Sequence, residues 1–345
     1  MLYAFGSNGA GQLGIGHTED VSAPELVICA DNPQATVKKI AAGGNHTLIL
    51  YQDATVRASG NNEDGRIGLQ EPCIFMRPEL VILHEATSPI REFYDIAATW
   101  SASYFVAMDR RTIHVCGTGE HGELGLGSGV TAASQPRTIK FPDTIENIAA
   151  CLSHAVVVLT NGEVWGWGQG RKGQLGEPNE EWWTPRRISK LSFPAVKALC
   201  GAYFTCILAS NEDGRISVLG SSVRDRFGLR SGIPASVLGW TDAAAAWGSM
   251  FVLRGSELVA WGRNDRGQLP PPGIPSIKKI AAGSEHWLVL TTDSQVLSGG
   301  WGEHGNCGEP TDNRGVVHGR WNVVFSGKTV EHIFAGCATS FLEAF

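Results

Sequence analysis

Residues 6–14 read GSNGAGQLG, and the same phrase returns as GNNEDGRIG from Gly60, GTGEHGELG from Gly117 and GQGRKGQLG from Gly168. Looser copies follow as GSSVRDRFG from Gly220, GRNDRGQLP from Gly262 and GWGEHGNCG from Gly300. The underlying pattern is Gly-x-x-x-x-Gly-x-x-Gly at intervals of about 50 residues, and self-similarity of that period marks a solenoid, a propeller or an array.

A second phrase alternates with the first. It runs IAAGGNHTLIL from Ile40, IAATWSASYFVAM from Ile96, IAACLSHAVVVL from Ile148, ALCGAYFTCILA from Ala198, AAAAWGSMFVLR from Ala243, IAAGSEHWLVL from Ile280 and IFAGCATSFLEA from Ile333. Each is a short apolar strand, a corner of small residues and a second apolar strand. Tight turns follow at residues 160–163, 212–214 and 254–256, and these are hairpin signals. A third strand, such as residues 2–5, 164–167 or 258–261, leads into each glycine phrase. A weaker fourth strand falls in the variable stretch after it, as around residues 25–28. Seven such units predict an all-β, seven-bladed β-propeller.

The chain opens on a third strand and closes on a second strand. Laid together, residues 2–5 and 340–345 would complete one blade and hide two sheet edges. This predicts a single propeller domain over 1–345.

Composition narrows the partners. Lys plus Arg is 28 and Asp plus Glu is 34, a net charge of −6 without a basic tail. That balance argues against general DNA binding, while a local tRNA contact stays open. There is no basic segment followed by an apolar core at the start, and no apolar run reaches membrane-span length. The eight cysteines contain no C-x-x-C. They read as free thiols of a reducing compartment. The expected location is the cytoplasm, with the nucleus as a second compartment, and the sequon at Asn45 should then be silent.

Repeated residues read first as scaffold. The glycines suit bends with positive φ or close backbone approach. Asn8, Asn62 and Asn264 suit turns, and the Ala-Ala-Gly corners suit the crowded axis. His46, His154 and His286 share one repeat position with Ser101, Phe204, Ser249 and Thr339, so that position tolerates non-histidines and reads as structural. The Gly-x-Gly-x-x-Gly triplets at Gly117, Gly168 and Gly300 lack the helix that a dinucleotide site requires. His304, Cys307 and His318 lack tight four-ligand spacing for zinc. No catalytic residue, metal site or cofactor is expected, and the chain does not read as an enzyme.

Departures from the repeat are the candidate partner contacts. Trp182 and Trp183 lie in the polar stretch 177–187, where adjacent indoles can anchor a partner or fold back over a blade edge. Arg224 and Arg226 flank Asp225, which replaces a motif glycine. Trp301, Glu303 and His304 stand in the seventh motif.

The paired phrases at residues 3–14, 38–50, 164–176 and 278–290 closely resemble the repeats of the regulator of chromosome condensation family, and the resemblance spans all seven units. It implies the seven-bladed propeller and leaves function open, because members differ. Its founding members exchange nucleotide on a small GTPase and bind chromatin. Residues 301–308 are most similar to the fungal α-tubulin suppressor, or killer-toxin-insensitivity, branch associated with Elongator. That likeness implies a non-catalytic scaffold for a small zinc-binding, electron-carrying protein of the diphthamide pathway. The pair would support Elongator-dependent modification of wobble uridines in tRNA and diphthamide formation. The secretion-regulating exchange factors share a similar seventh motif, which keeps guanine-nucleotide exchange as the alternative.

Overall fold

The computed structural model describes residues 1–29, 35–84, 88–220, 225 and 228–345. Its strands form seven antiparallel sheets arranged as a β-propeller, with one further two-stranded pair, Leu83–His84 with Pro89–Ile90. Blades are numbered here by the glycine phrase that each contains. Blades 2, 3, 4 and 7 run in order from an inner strand on the axis to an outer strand, as in Val37–Ala42, His46–Tyr51, Val56–Asn61 and Ile74–Leu80. Blades 5 and 6 each have three strands among the described residues.

Blade 1 is the composite that the chain ends predict. Strand Leu2–Gly6 pairs with Thr339–Ala344, with Ala4 opposite Phe341. The Met1 amino group also donates to the Ala344 carbonyl at 2.7 Å. The fourth strand of this blade is Val21–Leu26, slightly earlier than the sequence suggested.

The core is divided into seven apolar layers, one at each junction between neighbouring blades. This explains why the second strands are apolar at nearly every position. Side chains alternate across a strand, and both faces of these sheets are covered. In His46–Tyr51, Ile49 and Tyr51 pack toward blade 1 while Leu48 and Leu50 pack toward blade 3.

The first motif glycine meets both conditions read from the sequence. Gly60 has φ of 103°, and a Cβ there would sit 2.4 Å from the Asn45 carbonyl oxygen of its own inner corner. Asn8 and Asn62 hold the turns by accepting the amides of Leu13 and Ile67, and Asn264 accepts that of Leu269. Blade 5 reaches the same end differently: Asp225 accepts the amides of Arg230 and Ser231.

The repeated histidines are inter-blade ties. Nε2 of His46, His154 and His286 pairs at 3.0 Å with the hydroxyls of Ser103, Thr205 and Ser340 respectively, each in the next blade. Burial lowers the imidazole of His46 to about 3, with the Arg66 charge adding to it, and lowers those of His154 and His286 to about 4. All three rings are therefore neutral at physiological pH.

Candidate functional site

The seven inner strands enclose an axial channel of about 530 Å³. At one end, the face carrying the glycine turns, five of the inner corners bond to the next one. The amide of Trp100 donates to the Leu152 carbonyl at 2.7 Å, and that of Gly44 to the Trp100 carbonyl at 2.9 Å. Ala202, Trp247 and Ser284 continue the pattern, donating to Trp247, Ser284 and Gly336. These bonds satisfy backbone groups that a bare corner would leave unpaired.

Small residues occupy most of this ring, which lets two tryptophans lie across it. Trp100 of blade 3 rests on Gly44, where an added Cβ would fall 2.5 Å from the indole. Its centroid lies 6.3 Å from that of Trp247 in blade 6, with planes tilted by 46°. The two blades are not neighbours, so the indoles cover the channel mouth. Trp100 remains 43% exposed and nearby Tyr203 56% exposed. Large aromatic rings left open on a rigid frame are the side chains that dominate protein interfaces.

A polar arc borders this platform across blades 6, 7 and 1. Arg263 bridges Asp265 at 2.6 Å and Glu285 at 2.5 Å. Gln268 donates to the other Glu285 oxygen at 2.6 Å. Burial of Glu285 raises its carboxyl above the ordinary value even against Gln268 and Arg263. Next, the Arg266 guanidinium lies 3.9 Å from the centroid of Trp301, and His304 Nδ1 meets Asp20 Oδ2 at 2.8 Å. Glu303 is exposed beside them. Three of the sequence candidates, Trp301, Glu303 and His304, thus lie together on the channel-mouth face.

Trp182 does not join them. It begins the outer strand Trp182–Arg187 of blade 4, and its side chain is 2% exposed in the layer between blades 4 and 5. Its Nε1 donates to the Pro178 carbonyl. The expected surface pair is therefore corrected to a buried Trp182 and a half-buried Trp183, whose backbone packs against Gly122 of blade 3. Arg224 and Arg226 lie outside the described residues. Among the described residues, no group of three or more His, Cys, Asp or Glu side chains is placed to hold a metal ion.

Sequence reasoning missed Trp100, Tyr203 and Trp247. The signal was present: Trp100 and Trp247 take a corner position that Gly44, Ala202 and Ser284 fill elsewhere. Both lie inside the repeated phrases, whose residues read first as scaffold.

Comparison with known proteins agrees with the architecture. The family model described as RCC1-like domain matches residues 1–342. The RCC1 repeat-containing protein C10F6.04 of Schizosaccharomyces pombe is 32% identical over 99% of this chain and 98% of its own length. The mouse secretion-regulating guanine nucleotide exchange factor is 26% identical, covering 91% of this chain and 76% of that protein. Among solved structures, Prp20p of Saccharomyces cerevisiae superposes with a TM-score of 0.82 at 18% identity, covering 99% of this chain and 91% of that one. Human WBSCR16 gives 0.81 at 16% identity, covering 99% and 98%. At these identities the structures establish likeness of fold.

Proposed function

We propose, for a chain that belongs to the RCC1-like domain family, that it is a non-catalytic docking scaffold whose working surface is the channel-mouth face. The observation that carries this reading is the indole platform of an exposed Trp100 and a half-buried Trp247, bordered by Tyr203 and the Arg263–Glu285 and Arg266–Trp301 pairs. An aromatic centre with a polar rim is the anatomy of a protein interface.

The partner we propose is a small zinc-binding electron carrier of the diphthamide pathway. Through it the scaffold supports Elongator-dependent wobble-uridine modification in tRNA and diphthamide formation, in the cytoplasm with access to the nucleus. The seventh motif, residues 301–308, supports that choice, because it forms part of the polar arc. The metal and the electron transfer belong to the partner in this reading.

A second reading is guanine-nucleotide exchange on a small GTPase. It is favoured by the likeness to the secretion-regulating exchange factor over 91% of this chain. Affinity purification of the tagged chain from cells separates the two. Recovery of a small zinc protein in stoichiometric amount, lost in the Trp100→Ala/Trp247→Ala variant, supports docking. Recovery of a GTPase whose nucleotide release the purified chain accelerates would replace it with exchange.

A further inference from the structure

The other mouth of the channel is built from one repeat position on each inner strand. Reading round the ring, it holds Lys39, Asp95, Asn147, Lys197, Asp242, Lys279 and His332. Two of its lysines are paired with carboxylates: Lys39 with Asp95 at 2.8 Å and Lys197 with Asp242 at 3.5 Å. Asn147 accepts the Ala198 amide through Oδ1.

The sector over blades 7, 1 and 2 differs. At this repeat position Lys279, His332 and Lys39 follow one another without an acid, and the nearby Glu343, opposite His332 on the next strand, accepts the Val37 amide. Lys279 Nζ lies 3.0 Å from His332 Nδ1. An ammonium can only donate, so His332 Nδ1 accepts and the neutral ring carries its hydrogen on Nε2. The His332 ring is stacked on Phe334, which fixes its plane. The sector therefore presents the remaining Lys279 hydrogens and the imidazole N–H as donors, with Lys278 adding a further positive charge. Burial and Lys278 lower the Lys279 pKa although Asp242, Glu331 and Glu343 act in the opposite sense. Burial and Lys279 likewise lower that of His332.

We infer that Lys279 and His332, with Lys278 and Lys39 on either side, form an oxyanion-binding site at the channel mouth opposite the tryptophan platform, suited to a phosphate group. Charge-assisted hydrogen bonds to phosphate oxygens are short and strong, and a partly enclosed mouth raises their worth over the same contacts in open water. The site stands apart from the proposed docking face, so it holds or falls separately from that reading.

The test uses the full-length chain and inorganic phosphate, read by calorimetry and by NMR of the His332 ring. Saturable binding should weaken about tenfold or more in Lys279→Gln, which removes the positive charge, and in His332→Gln, which replaces the stacked imidazole N–H with a flexible neutral amide. Lys197→Gln, across the ring, should change it less than about twofold. Phosphate should raise the His332 pKa, since an anion favours the imidazolium. Tighter binding of a hexaglutamate peptide than of phosphate, lost in the same variants, would reassign the oxyanion to a carboxylate chain and overturn the phosphate preference. Absence of saturable phosphate binding, or equal binding in Lys279→Gln, would overturn the site.

Discussion

The imidazole of His286 in blade 7 meets the hydroxyl of Ser340 in blade 1 at 3.0 Å, across the junction that holds the two ends of the chain in one ring. Ser340 donates onward to the Asn306 carbonyl at 2.8 Å, so His286 donates to Ser340 and its neutral ring carries the hydrogen on Nε2. Its Nδ1 is buried beside Gly283. A second proton there would have no acceptor.

Acid should therefore loosen the ring before it reaches ordinary carboxylate pKa values. The unfolded chain binds protons on these three histidines near 6.5, while the folded chain does so only near 3 to 4. Stability is full above about pH 6.5 and declines as pH falls toward about 4. At pH 5 each histidine should cost about 2 kcal/mol. Glu123, Glu285 and Glu343, raised by burial, oppose the trend. Urea midpoints at pH 7.5 and 5.0 measure the balance. His286→Gln should shrink the histidine contribution to the difference by about a third, and a difference unchanged by that substitution would refute the role of the histidines.

Two glycines from different copies of the motif should behave differently. Gly60→Ala places a methyl 2.4 Å from the Asn45 carbonyl at φ of 103°, and should cost about 3 kcal/mol or more. Gly9→Ala meets no atom within 4 Å and should change stability by less than about 0.5 kcal/mol. Thermal melts of the two variants suffice.

Trp182→Ala should lose about 3 to 5 kcal/mol, the usual cost of emptying a buried indole site. Trp183→Ala should cost about 1 kcal/mol. Equal and small effects would return the pair to the surface role that the sequence suggested.

The indole platform is expected to act in binding rather than folding. Trp100→Ala/Trp247→Ala should weaken the partner at least about a hundredfold, as central aromatic anchors do. Its melting temperature should stay within a few degrees, since Trp100 is 43% exposed, Trp247 is half-buried and neither belongs to an inter-blade layer. A collapse of the melting temperature would make the pair a plug for the channel instead.

The sequence carried the fold because the fold is periodic. Seven glycine bends and seven apolar corners state the blade count directly, and the strand pairing of Ala4 with Phe341 follows from where the phrases begin and end. The candidate site was legible in part. Trp301, Glu303 and His304 broke the repeat in polar turns, where exposure can be guessed. Trp182 was misread because a polar neighbourhood in sequence says little about an outer strand, whose alternate side chains turn inward. Trp100 and Trp247 were overlooked because they lie inside the repeated phrases read as scaffold. Only the geometry of seven corners meeting on an axis leaves Trp100 open and Trp247 half-exposed.

The seam between Leu2–Gly6 and Thr339–Ala344 gives the wheel a mechanical polarity. Leu2 faces Glu343, so residues 1 and 345 lie at the same side of the seam. Tension applied to the two ends peels this ladder one rung at a time, the weak direction for a zipper, instead of shearing all its rungs at once. The remaining blades have continuous backbone through their sheets, and the ring should open at this one stitch before any other blade gives way.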